Sequence, residues 1–170
     1  MSANGVQAEF LDALDRHRGI LVKVGNSYSR TPADRDDLIQ EIIAQLWRSF
    51  PRYDGRAKLS TWMYRIALNV AITFYRSESR RARSVELRDP AKVEEFDTPV
   101  ETAGNEALEM VLERVNQLDA LNRAVMILYL DDRTYAEIAE IIGISETNVA
   151  TKIGRIKQRL QSDIGAQQRK

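Results

Sequence analysis

Residues 145–160 place apolar and hydrogen-bonding side chains on opposite faces of one predicted helix. The apolar face consists of Val149, Ile153, Ile156 and Leu160, which recur at helical spacing. The other face carries the polar residues Glu146, Thr147, Asn148, Thr151, Lys152, Arg155 and Arg159. Such side chains can bind base edges and phosphates in the major groove of DNA. Because spacing alone fits an ordinary amphipathic helix equally well, the neighbouring residues must decide between the two interpretations.

Those neighbouring residues favour a helix-turn-helix. Thr134 and Glu137 match a capping box, which predicts that a helix begins there. Gly143 matches the left-handed residue that ends such a helix, and Ser145 offers an N-cap for the next one. The first helix is expected to bury Tyr135, Ile138, Ala139 and Ile142. Two helices joined by so short a turn, with a basic outer face on the second, indicate DNA binding.

The composition argues against most kinds of catalytic site. The chain has no Cys, which excludes disulfides, thiol catalysis and thiolate zinc sites. Its single His, His17, cannot build an imidazole metal cluster and is expected at the edge of a core. A Mg²⁺ site at Asp34, Asp36 and Asp37 is disfavoured, because the sequence has no Gly-rich loop that would bind phosphate beside it. We therefore expect no catalytic residue, no metal site and no cofactor.

The sequence also bears on where the protein acts. No apolar run approaches the roughly 20 residues of a membrane-spanning helix. The residues MSANGVQAEF at the start lack the charged beginning and apolar core of a signal peptide. Together with the absence of Cys, these features predict a protein of the cytoplasm.

The net charge of zero conceals a segregation of charge along the chain. Residues 52–83 hold 8 basic and 2 acidic side chains, a net charge of +6. Residues 84–119 hold 3 basic and 10 acidic ones, a net charge of −7. Residues 145–170 hold 6 basic and 2 acidic ones, a net charge of +4. Two basic blocks separated by an acidic block favour two separate contacts with a polyanion.

Helical periodicity predicts three helices before residue 84. The first runs from about Val6 to Ser29. The second runs from Asp34 to Phe50 and is expected to bury Leu38, Ile42, Leu46 and Phe50. Its other face is rich in hydrogen-bonding groups and is either solvated or used to dock a protein. That face carries Asp37, Gln40, Glu41, Gln45 and Arg48.

The third helix is expected to begin with Ser60 or Thr61 as its N-cap. Its predicted core face consists of Trp62, Ile66, Val70 and Phe74, widened by Met63 and Ala67. Aromatic and basic residues alternate between Tyr53 and Arg83, a pattern that suits base stacking and phosphate contacts. For Trp62 and Phe74 we prefer a plain core role, because both lie on the predicted inner face.

The periodicity is lost from Ser84 to Gly104, where acidic residues, Pro and Gly predict a flexible linker. It returns at Asn105, and Asp119 is a candidate N-cap in the segment leading to the helix-turn-helix. The sequence thus predicts an all-α protein of two small helical domains joined by a flexible acidic linker. The second domain should have four helices, including the helix-turn-helix. The predicted boundaries are 1–83, 84–104 for the linker, 105–161, and 162–170 for a polar tail.

Two stretches resemble bacterial RNA polymerase sigma factors. Region 2 of that family is similar to DDLIQEIIAQLWRSF followed by YDGRAKLSTWMYRIALNVAITFYR. Region 4 is similar to LDALNRAVMILYLDDRTYAEIAEIIGISETNVATKIGRIKQRL. A chain with these two regions and a linker resembles the small extracytoplasmic-function group of the sigma-70 family. The resemblance implies a non-enzymatic subunit that binds core RNA polymerase and directs promoter-specific transcription initiation.

The resemblance also implies which surface meets which partner. Core polymerase would dock on the polar face of the second helix, which includes Asp37 and Arg48. The loop from Tyr53 to Ser60 would capture a base flipped out of the promoter −10 element, and the next helix would hold the separated strand. The residues implied there are Tyr53, Arg56, Lys58, Ser60, Arg65, Asn69 and Arg76. The polar face of residues 146–159 would read the −35 element, and an anti-sigma factor would cover these same faces.

Three positions depart from the family pattern. Asp119 stands where Pro is common, and Asp132-Arg133 where a Gly is usual. Gly154 lies inside the recognition helix, at a cost of about 1 kcal/mol relative to Ala, and could allow close approach to a backbone. The alternative function is a stand-alone helix-turn-helix transcriptional regulator, which would bind paired half-sites as a dimer.

Overall fold

A computed structural model of the chain describes residues 3–86 and 106–167. The regular elements within these ranges are all helical, and the ranges contain no strand, which confirms the all-α prediction. The chain divides into two compact units, Met1–Glu101 and Thr102–Lys170. Nearly all of the predicted linker lies outside the described residues. In the described ranges, none of the helices combines the length and the hydropathy needed to cross a membrane.

The first unit is built around three helices that pack against one another, α2, α3 and α4. Its elements are α1 (Ala3–Arg16), α2 (Arg18–Tyr28), α3 (Pro32–Ser49), a 3-10 turn (Phe50–Arg52) and α4 (Leu59–Glu86). Thr31 caps α3, since its hydroxyl oxygen accepts a hydrogen bond from the Asp34 backbone N–H at 3.1 Å. Pro32 then occupies the first turn, where a missing N–H costs nothing. Leu38, Ile42 and Leu46 are fully buried, as predicted.

The predicted single helix from Val6 to Ser29 is wrong, because the chain breaks at His17 between α1 and α2. His17 has φ −116° and ψ 18°, and its carbonyl accepts from the Ile20 N–H at 3.0 Å in a tight turn. Ala13 and Ile20 are both buried and lie two helical turns apart in sequence. The apolar spacing therefore continues across the break, which is why periodicity does not reveal it.

Gly25 marks the close crossing of α2 and α3. A Cβ atom at this position would lie 2.8 Å from Cγ1 of Ile39, closer than real side chains approach. Gly25 is itself buried within α2. The absence of a side chain thus sets how closely these two helices pack.

The predicted inner face of α4 is wrong in its four central residues, whereas Met63 and Ala67, which were predicted to widen it, are buried. The side chains that reach the core are Met63, Tyr64, Ala67, Leu68 and Ala71, each at most 2% exposed. The predicted face, Trp62, Ile66, Val70 and Phe74, is only half-buried. Apolar residues occupy much of the circumference of α4, so the helical period fits two neighbouring faces equally well. The contacts with α2 and α3 select the face that includes Tyr64.

The start of α4 also differs from the prediction. The helix begins at Leu59, and the Trp62 N–H donates to the Lys58 carbonyl at 3.0 Å. Ser60 and Thr61 therefore lie inside the first turn rather than at the N-cap. Thr61 is 2% exposed and belongs to the packed side of the helix.

The second unit packs its helices around a small apolar cluster. Its elements are α5 (Glu106–Asn116), α6 (Ala120–Leu130), α7 (Tyr135–Ile142) and α8 (Glu146–Gln167). The cluster contains Val115, Leu118, Met126 and Ile156, with Val111, Tyr129 and Leu160 packed against it. Residues of α5, α6 and α8 meet in this cluster, so it holds α8 against the rest of the unit.

Both ends of α6 are fixed by acidic residues. Asp119 caps the N-terminus as predicted, because its carboxylate accepts from the Asn122 backbone N–H at 3.1 Å. Asp132 follows the C-terminus in the left-handed conformation, with φ 55°. The Asp132 and Arg133 N–H groups then donate to the carbonyls of Tyr129 and Leu128. Asp132 thus adopts the left-handed conformation that a Gly would adopt at lower cost.

Arg123 is a buried charged residue that the sequence did not single out. It is 3% exposed, and its guanidinium donates to the carbonyls of Asn116 at 2.5 Å and Leu118 at 3.1 Å. Those carbonyls lie at and just beyond the C-terminus of α5, where a positive charge is favourable. Arg123 therefore joins the end of α5 to α6.

Candidate nucleic-acid interface

The helix-turn-helix has the caps that the sequence predicted. The Glu137 N–H donates to the Thr134 hydroxyl oxygen at 3.2 Å, and the Thr134 N–H donates to Oε2 of Glu137 at 3.0 Å. Gly143 ends α7 in the left-handed conformation, with φ 80°. The Asn148 N–H donates to Oγ of Ser145 at 3.2 Å, so Ser145 caps α8. The turn is therefore specified by local hydrogen bonds at each of its ends.

The predicted core face of α7 needs two corrections, at Ile142 and at Tyr135. Ile138 and Ala139 are buried as expected, but Ile141 is also buried at 5% exposure, while Ile142 is only half-buried. Tyr135 is 38% exposed, and its ring lies 6.4 Å from that of Tyr129 on α6. Tyr135 begins the first turn, where the helix has turned its side chain away from the core.

The inner and outer faces of α8 follow the prediction closely. Val149, Ile153 and Ile156 are buried, and Leu160 is half-buried. Six of the polar side chains assigned to the outer face are exposed. These are Glu146, Thr147, Asn148, Thr151, Arg155 and Arg159. The helix thus offers solvent a continuous surface of donors and acceptors.

Lys152 differs from the other residues of that set. It is half-buried, and its Nζ donates to Oδ1 of Asn122 at 3.3 Å. The side-chain amide of Asn122 in turn donates to the Asp119 carboxylate at 2.5 Å. Lys152 therefore lies at the edge of the face, turned towards the start of α6.

Lys157 is a cation on α8 that the sequence analysis did not assign. Its Nζ donates to the Tyr129 hydroxyl at 2.5 Å and lies 4.3 Å from the centre of the Tyr129 ring. The hydrogen bond with Tyr129 raises the pKa of Lys157 above its ordinary value. Helical spacing does not predict this contact, because Lys157 and Tyr129 lie on different helices.

In the first unit, the loop between the 3-10 turn and α4 is held by its own side chains. The Tyr53 hydroxyl donates to the Ala57 carbonyl at 2.6 Å, and Gly55 turns the chain with φ 73°. Nε of Arg56 lies 3.2 Å from Oδ2 of Asp54 across the turn. Arg56 and Lys58 are exposed, whereas Tyr53 and Ser60 are half-buried. The basic side chains of the loop are therefore exposed to solvent, and the hydrogen bond of Tyr53 stabilises the conformation of the loop.

A chain of aromatic rings connects this loop to α1 and α3. The centre of the Tyr53 ring lies 5.1 Å from that of Trp62, which in turn lies 6.2 Å from the ring centre of Phe50. Phe10 of α1 contacts both Phe50 at 5.3 Å and Trp47 at 5.0 Å. Phe50, predicted to be core within the second helix, instead lies in the 3-10 turn and is half-buried. Trp62 thus has a structural role at the base of the loop.

The predicted strand-binding residues of α4 are spread along its accessible side. Asn69 and Arg76 are exposed, and Arg65 is half-buried. The basic end of α4 is exposed as well, at Arg80, Arg81 and Arg83. This helix therefore carries positive charge from its middle to its C-terminal part.

The predicted polymerase-docking face of α3 is accessible. Asp37, Gln40, Glu41 and Arg48 are exposed and Gln45 is half-buried. Nη1 of Arg48 donates to Oε1 of Gln45 at 3.0 Å and lies 3.9 Å from the Glu41 carboxylate. Such exposed contacts contribute little to stability, so these side chains can exchange them for a partner's.

A groove between α3 and α4 brings the two predicted sets of residues together. It has a volume of about 520 Å³, and Glu41, Gln45, Ile66, Asn69, Val70, Thr73, Phe74 and Ser77 line it. Glu41 and Gln45 belong to the predicted polymerase face, and Asn69 belongs to the predicted strand-binding set. The half-buried Ile66, Val70 and Phe74, which the helical period predicts to be core, form an apolar wall of this groove.

Two family models match the chain, one on each unit. The model of Sigma-70 region 2 matches residues 13–81, which include α2, α3 and most of α4. The model of Sigma-70 region 4 matches residues 108–160, which include the helix-turn-helix. Together the two matches cover well over half of the chain.

The chain belongs to the sigma-70 family, in its extracytoplasmic-function group. It is 29% identical over 141 residues to the ECF RNA polymerase sigma-E factor of Haemophilus influenzae, covering 77% of this chain and 75% of that one. It is 26% identical over 180 residues to the RNA polymerase sigma factor CnrH of Cupriavidus metallidurans, covering 99% of this chain and 93% of that one. A sigma factor directs promoter-specific transcription initiation by RNA polymerase, and the alternative of a stand-alone regulator is not favoured.

Solved structures share the fold of this sigma factor. CnrH in complex with the cytosolic domain of CnrY matches with a TM-score of 0.67 and 24% identity, over 94% of this chain and 90% of that one. The sigma factor RpoE in complex with the anti-sigma factor NepR from Bartonella quintana matches with a TM-score of 0.66 and 23% identity, over 92% of this chain and 94% of that one. Both likenesses concern the all-helical architecture.

Proposed function

We propose that this sigma factor uses three separate surfaces to start transcription. The exposed face of α3 binds core RNA polymerase, through Asp37, Gln40, Glu41, Gln45 and Arg48. The loop at 53–60 and α4 bind the separated −10 strand, and the outer face of α8 binds the −35 duplex. The proposed functional boundaries remain 1–83, 84–104, 105–161 and 162–170. The observation that carries the proposal is the tandem match of regions 2 and 4 to units that expose these faces.

The chemistry of each DNA surface supports this division. Exposed cations on the loop and on α4, including Arg56, Arg76 and Arg80, can neutralise strand phosphates. The apolar wall of the groove can receive an unstacked base or an apolar side chain. Binding of the separated strand would offset the cost of unpairing a few base pairs, as in base flipping. Melting of this kind needs no ATP, and the protein would act without a cofactor or a catalytic residue.

A protein partner that silences the factor is part of the proposal. Two structural neighbours were solved with the partner proteins CnrY and NepR, the second of which is named as an anti-sigma factor. An anti-sigma protein of that kind would cover the α3 face, and polymerase could then not bind. We further propose that the factor works in the cytoplasm, where core polymerase and promoter DNA are found.

The decisive experiment mixes the purified chain with core polymerase and a library of promoter fragments, followed by sequencing of the transcripts. We expect the chain to select a defined class of upstream and downstream elements that core polymerase alone does not use. Absence of any selected promoter, together with absence of binding to core polymerase, would reject the proposal. Tight duplex binding by the chain alone as a dimer would instead support a stand-alone regulator.

Charge reversal on α3 tests the docking face. Glu41→Arg should weaken a pull-down of core polymerase and leave the fold unchanged, because Glu41 is exposed. Glu9→Arg is the matched control, since Glu9 is exposed on α1 outside the proposed face. Equal recovery of polymerase by Glu41→Arg and the wild type would reject this assignment.

A further inference from the structure

Gly154 has no structural explanation within the fold. It is exposed in the middle of α8, and a Cβ atom built on it would have no other atom within 4 Å. Gly25, by contrast, is required for helix packing, and Gly143 adopts a φ of 80° that favours glycine. An alanine at position 154 would shift the unfolding equilibrium about fivefold towards the folded state. The glycine therefore costs stability without relieving any contact within the described second unit.

Thr151 lies one turn before Gly154 on the same face of α8. Its hydroxyl donates to the Thr147 carbonyl at 2.9 Å, so the hydroxyl proton is committed to the helix. Oγ1 can still accept a hydrogen bond, and the methyl group is the apolar part that this exposed residue offers to an external contact. Residues three apart in a helix are surface neighbours, so the Thr151 side chain and the position of the missing Cβ of Gly154 lie next to each other on the outer face of α8.

We propose that Thr151 and Gly154 recognise a thymine by its C5 methyl group. In the major groove, this methyl is the apolar group that distinguishes one base edge from the others, and a Thr methyl is a suitable contact for it. The alternative, a contact with the DNA backbone, would require hydrogen-bond donors that are directed at a phosphate. Here the Thr151 hydroxyl and the helical N–H of Gly154 are already engaged within α8. This proposal rests on the proposed function, because it requires α8 to enter the major groove of the −35 element.

The test uses the holoenzyme and a promoter selected from the library by the wild-type factor. Each thymine of the upstream element is replaced in turn by deoxyuridine, which removes the methyl group and keeps every hydrogen bond. At one position, the wild-type holoenzyme should bind the uracil duplex about fourfold more weakly, the effect of one buried methyl group.

Variants of the two residues link that effect to α8. Gly154→Ala fills the space and Thr151→Ser removes the protein methyl, so each should bind the thymine and uracil duplexes equally. Thr151→Val keeps the methyl group and should keep the fourfold preference. Gly165→Ala is the matched control, since Gly165 lies three turns further along α8 and also faces open space. Gly154→Ala should melt higher than the wild type, so lost recognition in it cannot come from unfolding.

The proposal and the function on which it rests fail in different ways. If no promoter is selected in the first step, the proposed function fails and the thymine contact fails with it. If a promoter is selected but uracil is tolerated at every upstream position, only the thymine contact is overturned. The same conclusion follows if Gly154→Ala keeps the full preference for thymine.

Discussion

Helices α4 and α8 offer nucleic acid two chemically different surfaces. The accessible side of α4 has an apolar wall of Ile66, Val70 and Phe74 beside the polar Asn69 and Thr73. The outer face of α8 carries polar and charged side chains, and within residues 146–163 no large apolar residue is exposed. An apolar groove gains free energy by excluding water, which suits an unstacked base or a partner's apolar side chain. A polar face keeps its water and suits the edges and phosphates of a duplex.

The largest expected effect on this comparison comes from testing which face of α4 forms the core of the first unit. Leu68→Ala should destabilise the first unit by about 2–5 kcal/mol, because Leu68 is buried and its loss leaves a cavity. Ile66→Ala should cost clearly less, since Ile66 is half-buried in the wall of the groove. Urea unfolding followed by circular dichroism measures both. Equal costs would mean that the groove wall is core after all.

The same two helices show what the sequence could and could not specify. In α8 the apolar residues fill a single face, so the helical period alone identified Val149, Ile153 and Ile156 as buried. In α4 apolar residues occur on two neighbouring faces, and only the packing against α2 and α3 selects Tyr64 over Ile66. Local hydrogen bonds made the caps at Thr134 and Asp119 predictable, since each depends on residues a few positions apart.

Contacts between distant residues could not be predicted in this way. The bond between Lys152 and Asn122 joins residues from two helices, and so does the bond between Lys157 and Tyr129. The break at His17 is not predictable for a different reason, because the buried residues on either side keep helical spacing. The groove that unites Glu41 and Asn69 likewise depends on how α3 and α4 pack. The sequence therefore identifies the buried faces of α3 and α8, but neither the core face of α4 nor the contacts between helices.

The salt dependence of binding should differ between the apolar surface of α4 and the polar surface of α8. Phe74→Ala should weaken capture of the separated strand or of polymerase by about 1–3 kcal/mol, and it should leave the salt dependence of binding unchanged. Replacement of both Arg155 and Arg159 by Ala should weaken promoter binding and reduce the slope of log K against log salt by about 2. Holoenzyme binding to the selected promoter, measured at several salt concentrations, distinguishes them. A changed slope for Phe74→Ala would contradict an apolar role for the groove.

The caps of the helix-turn-helix provide a smaller and more local test. Thr134→Ala removes the capping box at the start of α7 and should destabilise the second unit by about 1 kcal/mol. Thr147→Ala, on the outer face of α8, should change stability by less than about 0.5 kcal/mol. Thermal unfolding of each variant provides the comparison. If the two changes cost the same, the turn is held by packing rather than by its hydrogen bonds.

The smallest expected effect concerns Lys157 at the edge of α8. Its hydrogen bond with Tyr129 raises the pKa of Lys157, so the folded state holds this proton more tightly than the unfolded state. The interaction that raises this pKa stabilises the fold in full at pH values below 10.5, the pKa of Lys157 in the unfolded state. The stabilisation is lost as the pH rises through the higher pKa of the folded state. Tyr129→Phe keeps the ring but removes the hydroxyl, so the pKa of Lys157 should fall in an NMR titration of its side chain. Tyr135→Phe is the control and should lower the pKa less, because Tyr135 is the weakest of the named influences on Lys157. If Tyr129→Phe leaves the titration unchanged, Lys157 is not held against α6 and is available to DNA like its neighbours on the outer face.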